Sequence, residues 1–102
     1  MNVKLINRDT TGELLLIGRL DSNTTEKVAE IAENVSDRFE NIVLNLTELE
    51  YTSSAGLRMM LNLHRKMAGK GGTLKLKGVS KPVMEVLDMT GFSSFLSFEQ
   101  NQ

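Results

Sequence analysis

Two short stretches with apolar residues near the beginning of the chain predict paired β-strands. Residues 3–7 form the first stretch, with Val3 and Leu5 on one face, and residues 13–20 form the second. The stretch between them, residues 8–12, contains Asp, Thr and Gly, which are typical of turns. The beginning of the chain is therefore predicted to be an antiparallel hairpin.

The next apolar pattern has helical periodicity. Four apolar residues recur at the spacing i, i+3, i+4, i+7, which predicts an amphipathic helix: Val28, Ile31, Ala32 and Val35. Asn23, followed three residues later by Glu26, predicts a variant of the capping box at the start of this helix. The short apolar run 42–46 then predicts a strand that is covered on both faces, as in a parallel sheet.

A second helix is predicted from Ser54 onward. Its inner face is predicted from residues that recur at helical spacing: Leu57, Met60, Leu61, His64 and Ala68. The glycine-rich stretch 69–72 ends this helix, because glycine readily adopts the left-handed conformation. Residues 73–77 alternate between apolar and polar types and predict another strand.

A third helix follows, with Ser80 as its cap and Pro82 in its first turn. Its inner face is predicted to contain Val83, Val86 and Leu87. Gly91 is predicted to end it, and residues 99–102 are predicted to form a loose tail. Between them, a final apolar cluster predicts a short strand or turn packed on the sheet: Phe92, Phe95, Leu96 and Phe98.

The order of these elements, β-β-α-β-α-β-α-β, predicts an α/β fold. Strand–helix–strand units with short connections form right-handed crossovers, so the sheet is expected to be mixed, with helices packed on it. We expect four to five strands, an antiparallel N-terminal hairpin followed by parallel strands. A chain of 102 residues without a linker or internal repeat is predicted to be a single domain, residues 1–102.

Charge and composition exclude several classes of function. With 12 basic and 13 acidic residues, the chain lacks the positive charge expected for nucleic-acid or membrane-surface binding. The absence of cysteine, of an apolar signal segment and of a membrane-length apolar run predicts a cytoplasmic protein. Basic residues gather between Arg58 and Lys81, either as a solvated face or as a docking surface for an acidic partner; the solvated face is favoured.

No catalytic or metal-binding constellation is evident in the sequence. The one histidine, His64, lies on the apolar side of a predicted helix without a carboxylate three or four residues away, and is interpreted as a packed histidine. The stretch 69–72 fails the phosphate-loop pattern, because no glycine stands five residues before its Gly-Lys pair and Gly71 follows Lys70. We therefore predict neither an enzyme nor a resident cofactor or metal.

Two adjacent serines at the start of the second helix, Ser53 and Ser54, are the strongest candidate for a functional site. Capping is the simpler interpretation, since either hydroxyl can accept a hydrogen bond from the first helical turn. A helix N-terminus also favours negative charge, so a serine there can carry a phosphate without disrupting the fold. The same charge would oppose a partner docked on that surface. The geometry thus suits a phosphorylation switch that acts on binding.

Several segments in order along the chain resemble the STAS domain family, specifically the bacterial anti-sigma factor antagonists. The segments are GRLD at 18–21, IVLNL at 42–46, LEYTSSAGLR at 49–58, GTL at 72–74 and VLDMTGF at 86–92. Together they cover essentially the whole chain. The resemblance implies the STAS fold and a regulator that binds an anti-sigma factor, itself a serine kinase of the GHKL ATPase type, and thereby releases a sigma factor.

The family motif Asp-Ser-Ser-Gly-Leu aligns with Ser53 to Leu57, which implies that Ser54 is the serine that the kinase phosphorylates. Ser53 stands where the family has aspartate, in a recurring variant of the motif. The resemblance implies a partner-binding surface made of Asp21, Ser22, Asn23, Thr52, Ser53, Ser54, Gly56 and Arg58. Asp21 is interpreted equally well as a turn residue, and Gly56 as a packing residue. A PP2C-type phosphatase as second partner and a monomeric free form are also expected.

Two other functions are compatible with the resemblance. One is a STAS accessory subunit, for example of an ABC-type transporter, in which the serine is never phosphorylated. The other is a nucleotide-binding STAS module, which the absence of a phosphate-loop motif disfavours.

Overall fold

The computed structural model describes residues 1–99 of the chain. The predicted loose tail falls mostly on residues 100–102, which lie outside the described residues. Within residues 1–99 the chain forms six strands, three α-helices and one short 3-10 turn. In chain order these are β1 (Asn2–Arg8), β2 (Thr11–Leu20), α1 (Thr25–Arg38), β3 (Asn41–Asn45), β4 (Leu49–Thr52), α2 (Ser54–Gly69), β5 (Thr73–Lys77), α3 (Lys81–Thr90), the 3-10 turn (Phe92–Ser94) and β6 (Ser97–Phe98).

The sheet is mixed, as the sequence predicts. Five strands lie in the order β1-β2-β3-β5-β6, in which β1 is antiparallel to β2 and the other pairs are parallel. The sixth strand, β4, pairs in parallel with the last part of β2, after a register shift between Gly18 and Arg19. The predicted fold class, an antiparallel hairpin followed by parallel strands with helices packed on them, is confirmed.

The described helices pack on one face of the sheet and enclose the core with it. Sheet residues that share this face are Leu14, Leu16, Leu20, Ile42, Leu44, Leu74 and Leu76, and Leu46 joins them just after β3. Helix residues in the same core are Val28, Ala32, Val35, Leu57, Met60, Leu63, Met67, Val83 and Leu87. Leucine and methionine fill most of this space in a chain that has no tryptophan.

The prediction that residues 42–46 form a strand covered on both faces is wrong. Ile42 and Leu44 face the helices, whereas Val43 faces the opposite side of the sheet, which no described helix covers. Val43 is nevertheless only 8% exposed. Its register partners on the neighbouring strands are Glu13 and Lys75, whose long side chains shield it laterally. An apolar run can therefore occur in a strand without a second layer of helices.

The start of α1 also differs from the prediction. The helix begins at Thr25 with Thr24 as its N-cap, and Thr24 makes no side-chain capping bond. The predicted pair Asn23 and Glu26 forms no capping box. The loop amides bond to Asp21 instead, because an aspartate side chain readily accepts hydrogen bonds from the backbone two and three residues later. The caps of α3 follow the prediction: Ser80 caps its start, and Gly91 ends it at a φ of +79°.

Strand β4 was not predicted. Its four residues show the burial pattern buried, exposed, exposed, buried, which departs from strict alternation. The acidic Glu48 and Glu50 made the stretch resemble a polar loop, yet Leu49 and Thr52 are buried at 3% and 5% exposure. Pairing with β2, and not local periodicity, makes this stretch a strand.

Smaller differences concern single side chains. Leu5, Phe95 and Ala68, all predicted to pack, are exposed. Met59, Leu63 and Met67 contribute more to the buried face of α2 than Leu61 and His64, which are half-buried. The basic run after Arg58 does not form one surface: part of it lies on α2, and Lys75 and Lys77 lie on the uncovered face of the sheet.

Candidate functional site

Two chain segments that leave the sheet side by side form the candidate site. Strands β2 and β4 are parallel neighbours, so their carboxyl ends lie at the same edge, where Leu20 pairs with Thr52. Beyond this pair, the Ser53 backbone N–H donates to the Leu20 carbonyl oxygen at 2.7 Å. The structure thus brings the predicted residues 21–23, which follow β2, next to residues 52–54, which lead into α2.

The two adjacent serines have different environments. Ser53 is the N-cap of α2, and its Oγ accepts a hydrogen bond from the Gly56 backbone N–H at 3.3 Å. Ser54 is the first residue of the helix and is exposed. Its hydroxyl makes no hydrogen bond with any of the described residues. The capping function therefore belongs to Ser53, and the hydroxyl of Ser54 takes no part in the cap.

Thr52 and Gly56 lie beneath this surface and determine how closely α2 approaches the sheet. Both residues are buried. A Cβ atom at position 56 would lie 2.3 Å from Thr52 Oγ1 and 3.1 Å from Leu20 Cβ, so only glycine fits there without a movement of the helix or of these side chains. Of the two interpretations of Gly56, this geometry favours the packing of the helix against the sheet.

The loop after β2 is held in shape by Asp21. Its Oδ1 accepts hydrogen bonds from the backbone N–H of Asn23 at 2.9 Å and of Thr24 at 3.1 Å. Bonds from the N–H of Asn23 above all, and from Thr24, keep the pKa of Asp21 below its ordinary value, against the opposing effect of burial. Thr25 Oγ1 donates to the Asp21 carbonyl oxygen at 2.7 Å. This network supports the interpretation of Asp21 as a turn residue, and it presents Ser22 and Asn23 to solvent.

An aromatic–cation pair that sequence reasoning did not identify lies beside the site. Arg19 and Tyr51 are register partners on β2 and β4, and the Arg19 guanidinium lies 4.5 Å from the centre of the Tyr51 ring. Both side chains are exposed. Because the pair depends on β4, only a sequence signal for that strand could have revealed it.

Positive electrostatic potential is expected around Ser54. The first turn of α2 contains no acidic residue, and its unpaired N–H groups form the positive end of the helix dipole. Arg58, one turn further along, is exposed and forms no ion pair with any described residue. A negatively charged group on Ser54 would therefore meet a favourable field.

A groove of about 390 Å³ runs between α1 and α2 next to the site. Small side chains leave this space open: Ala29, Ala32 and Ala55. Met59 and Leu63 also line it, with Glu33, Arg58 and Asn62 as polar groups. Toward the other end of α2, Lys66 Nζ binds Glu33 at 2.6 Å and Asp37 at 2.9 Å, which joins the two helices there.

Other site chemistry is limited in the described part of the chain. Among residues 1–99, no three side chains of His, Cys, Asp or Glu lie close enough together to hold a metal ion. His64 is half-buried, and its Nδ1 is enclosed without a hydrogen-bond partner among these residues. No helix within residues 1–99 is long and apolar enough to cross a membrane.

Comparison with known proteins links this architecture to a family. The model of the STAS domain matches residues 2–102. An anti-sigma F factor antagonist from Paenibacillus polymyxa is 31% identical over 106 residues, which covers 100% of this chain and 91% of the relative. An anti-sigma-B factor antagonist from Listeria monocytogenes is 28% identical and covers 97% of this chain and 89% of the relative.

Solved structures share the fold. The anti-sigma factor antagonist SpoIIAA in its unphosphorylated form superposes with a TM-score of 0.79 at 18% identity, over 99% of this chain and 90% of that one. The Bacillus protein SpoIIAA in its phosphorylated form superposes with a TM-score of 0.76 at 18% identity, over 98% of this chain and 93% of that one. At these identities the likeness concerns the fold alone.

Proposed function

Because this chain belongs to the STAS domain family, we propose that it is an anti-sigma factor antagonist that is switched by phosphorylation of Ser54. The proposal takes the role from the relatives that bear this name. In it, the unphosphorylated protein binds an anti-sigma factor and so releases a sigma factor. The match over residues 2–102 supports the further proposal that the chain is one STAS domain.

The observation that carries the proposal is the division of roles between the two serines. Ser53 makes the capping bond to Gly56, so Ser54 is not needed to start the helix. Ser54 is exposed at the first position of α2, where a kinase can reach its hydroxyl. The existence of SpoIIAA in a phosphorylated form supports the idea that this fold tolerates such a modification.

The proposed switch acts through charge at a docked surface. A phosphate on Ser54 adds up to two negative charges at the positive end of α2, so the cost to the free protein is small. A partner that covers this position must instead remove the phosphate from water, which is expensive without a compensating cation. The surface that we propose for docking comprises Asp21, Ser22, Asn23, Ser53, Ser54 and Arg58, supported from below by Thr52 and Gly56.

Two partners are proposed from the family resemblance. One is an anti-sigma factor that is also a serine kinase of the GHKL type, which binds and phosphorylates Ser54. The other is a PP2C-type phosphatase, which removes the phosphate and resets the switch. The first partner accounts for an exposed hydroxyl at the centre of the surface, and the second makes the switch reversible.

The test uses the protein and its Ser54→Asp variant as baits in a lysate of the source organism, with the captured proteins identified by mass spectrometry. We expect the unmodified protein to retain an ATPase of the GHKL type and the variant to lose it. The purified partner is then titrated against both proteins. A weakening of at least about tenfold is expected, because the added carboxylate faces a docked surface.

Two further variants make the result specific. Ser54→Ala removes the hydroxyl without adding charge and is expected to bind normally while resisting phosphorylation. Ser94→Asp places the same new charge on the exposed 3-10 turn and is expected to bind like the unmodified protein. Equal binding by Ser54→Asp and the unmodified protein would mean that Ser54 is not part of the switch, and would favour an accessory subunit.

A further inference from the structure

The face of the sheet opposite the helices is a second surface, which the proposed switch does not use. Register places one row of side chains on this face from four strands: Ile6, Glu13, Val43 and Lys75. The next row contains Lys4, Leu15, Asn45 and Lys77. None of these residues belongs to the core between the sheet and the helices, and no described helix covers them. We call this surface, together with Arg8 and Glu99 at its margin, the open face.

Charge is distributed unevenly between the open face and the rest of the molecule. The open face has four basic side chains, Lys4, Arg8, Lys75 and Lys77, and two acidic ones, Glu13 and Glu99, which gives a net charge of +2. The other eight basic and eleven acidic residues of the chain give −3. A chain with an overall charge of −1 thus presents a positive sheet face. Such segregation favours the approach of a negatively charged partner.

Glu13 fixes two of these cations at defined positions. It lies on β2 at the middle of the face and is only 4% exposed. Its carboxylate accepts hydrogen bonds from Arg8 Nε at 3.1 Å and Asn45 Nδ2 at 3.0 Å, and Lys77 Nζ lies 3.9 Å away. Burial alone would raise the pKa of Glu13, but the bonds from Asn45 and Arg8 and the charge of Lys77 outweigh it and lower the pKa.

The remaining cations are free. Lys4 and Lys75 are exposed, and neither forms an ion pair with any residue between 1 and 99. They lie on either side of a partly apolar strip in which Leu15 is half-buried and Val43 is buried. A concavity of about 490 Å³ on this face reaches from Arg8 to Lys75 and Lys77. The surface therefore combines two cations held in place by Glu13, two cations without an ion pair, and some apolar contact area. This combination favours the docking of a protein over a face that contacts only water.

We propose that the open face is a docking surface for an acidic segment of a partner protein, independent of the phosphorylation state of Ser54. The segment is expected to place carboxylates near Lys4 and Lys75 and an apolar side chain on the half-buried Leu15. Because α2 packs on the other side of the sheet, a partner at Ser54 leaves the open face accessible. The protein could then hold two partners at once.

The experiment titrates the full-length, isotope-labelled protein with a short synthetic peptide of glutamates with interspersed leucines, followed by amide NMR. We expect the shifted amides to lie in β1, β2, β3 and β5 on the open face, and the affinity to fall as salt increases. Lys4→Glu combined with Lys75→Glu is expected to weaken binding by at least about tenfold. Both positions are exposed, so folding should persist, which thermal unfolding will verify.

Two controls decide whether binding is specific to this face. Lys27→Glu combined with Lys81→Glu makes the same change in net charge on exposed positions of α1 and α3, and is expected to bind the peptide as the unmodified protein does. Ser54→Asp is also expected to leave the affinity unchanged, so the result does not depend on the proposed switch. Shifts that cluster around Arg58 and Arg65, equal losses in both double variants, or no binding at low salt would each overturn the proposal.

Discussion

At the scale of single residues, the pair Ser53 and Ser54 separates folding from regulation. The sequence left open which serine caps the helix, because both hydroxyls stand at its start. The structure assigns the cap to Ser53 through its bond from the Gly56 N–H. Ser54 is exposed, and its hydroxyl makes no hydrogen bond with any described residue.

This difference predicts unequal effects on stability. Ser53→Ala removes the cap and is expected to lower the free energy of unfolding by about 1 kcal/mol. Ser54→Ala is expected to change it by less than about 0.5 kcal/mol, since alanine suits the first turn and no bond is lost. Urea unfolding of the two variants and the unmodified protein checks this. A larger loss for Ser54→Ala would contradict the assignment of the cap.

The buried carboxylate of Glu13 predicts a dependence of stability on pH. Its pKa in the folded protein lies below the ordinary value of 4.5, so its ionised form stabilises the fold at higher pH. That contribution is present above the ordinary pKa and is lost as the pH falls through the lower pKa of the folded state. Glu13→Gln is therefore expected to be less stable near neutral pH, by an amount that disappears in acid.

Urea unfolding of the Glu13→Gln variant and the unmodified protein across this pH range measures the difference. The control is Glu85→Gln, an exposed position on α3, whose stability is expected to follow that of the unmodified protein at each pH. A difference for Glu13→Gln that stays constant with pH would show that the ion pairs of Glu13 do not stabilise the fold.

At the scale of secondary-structure elements, local sequence was informative where an element's burial follows its own periodicity or its caps. The hairpin, the three helices, and their stops at the glycine-rich stretch 69–72 and at Gly91 were all predictable in this way. The elements that were missed depend on distant partners. Strand β4 exists because β2 pairs with it. Val43 is buried without a covering helix because side chains of the adjacent strands shield it.

The same limit applies to the candidate site. The sequence identified both segments, around Asp21 and around Ser54, because a family motif and turn-forming residues mark them. It could not reveal that Arg19 stacks on Tyr51 or that Thr52 supports Gly56, since these contacts join residues on different elements. The capping box predicted at Asn23 does not form, because Asp21 accepts the Asn23 N–H that Glu26 would bind in such a box.

The contact between α2 and the sheet predicts a steric effect at Gly56. Gly56→Ala would place a methyl group 2.3 Å from Thr52 Oγ1, so we expect a loss of about 1–3 kcal/mol in the free energy of unfolding. Gly69→Ala is the matched control on the same helix, because nothing lies within 4 Å of its added methyl group. It is expected to be neutral or stabilising by up to about 1 kcal/mol.

A second substitution tests the cause of that loss. Thr52→Ala removes the oxygen atom that the new methyl group meets, so the double variant Gly56→Ala, Thr52→Ala is expected to be more stable than the sum of the single effects. Additive effects would indicate that the helix shifts as a whole instead of meeting Thr52.

At the scale of the whole molecule, the layers separate the two proposed surfaces. The helices and Ser54 lie on one side of the sheet or at its edge, and the positive open face lies on the other. A change at the start of α2 should therefore remain local. We expect the amide NMR spectrum of Ser54→Asp to differ only near residues 20–24 and 51–58, and its melting temperature to stay close to that of the unmodified protein. Shifts across the open face would indicate that the switch also changes the sheet.

Strand β2 pairs with two different strands, and this limits how such a chain can change during evolution. Its first part pairs with β3, its last part pairs with β4, and the register shifts between Gly18 and Arg19. Deleting one residue there would reverse the facing of every later side chain in the strand and bring Leu20 out of the core. Insertions and deletions are therefore expected to disrupt the fold within β2 but to be tolerated in the turn at Asp9–Thr10. New partner specificities at the end of β2 should then arise by substitution.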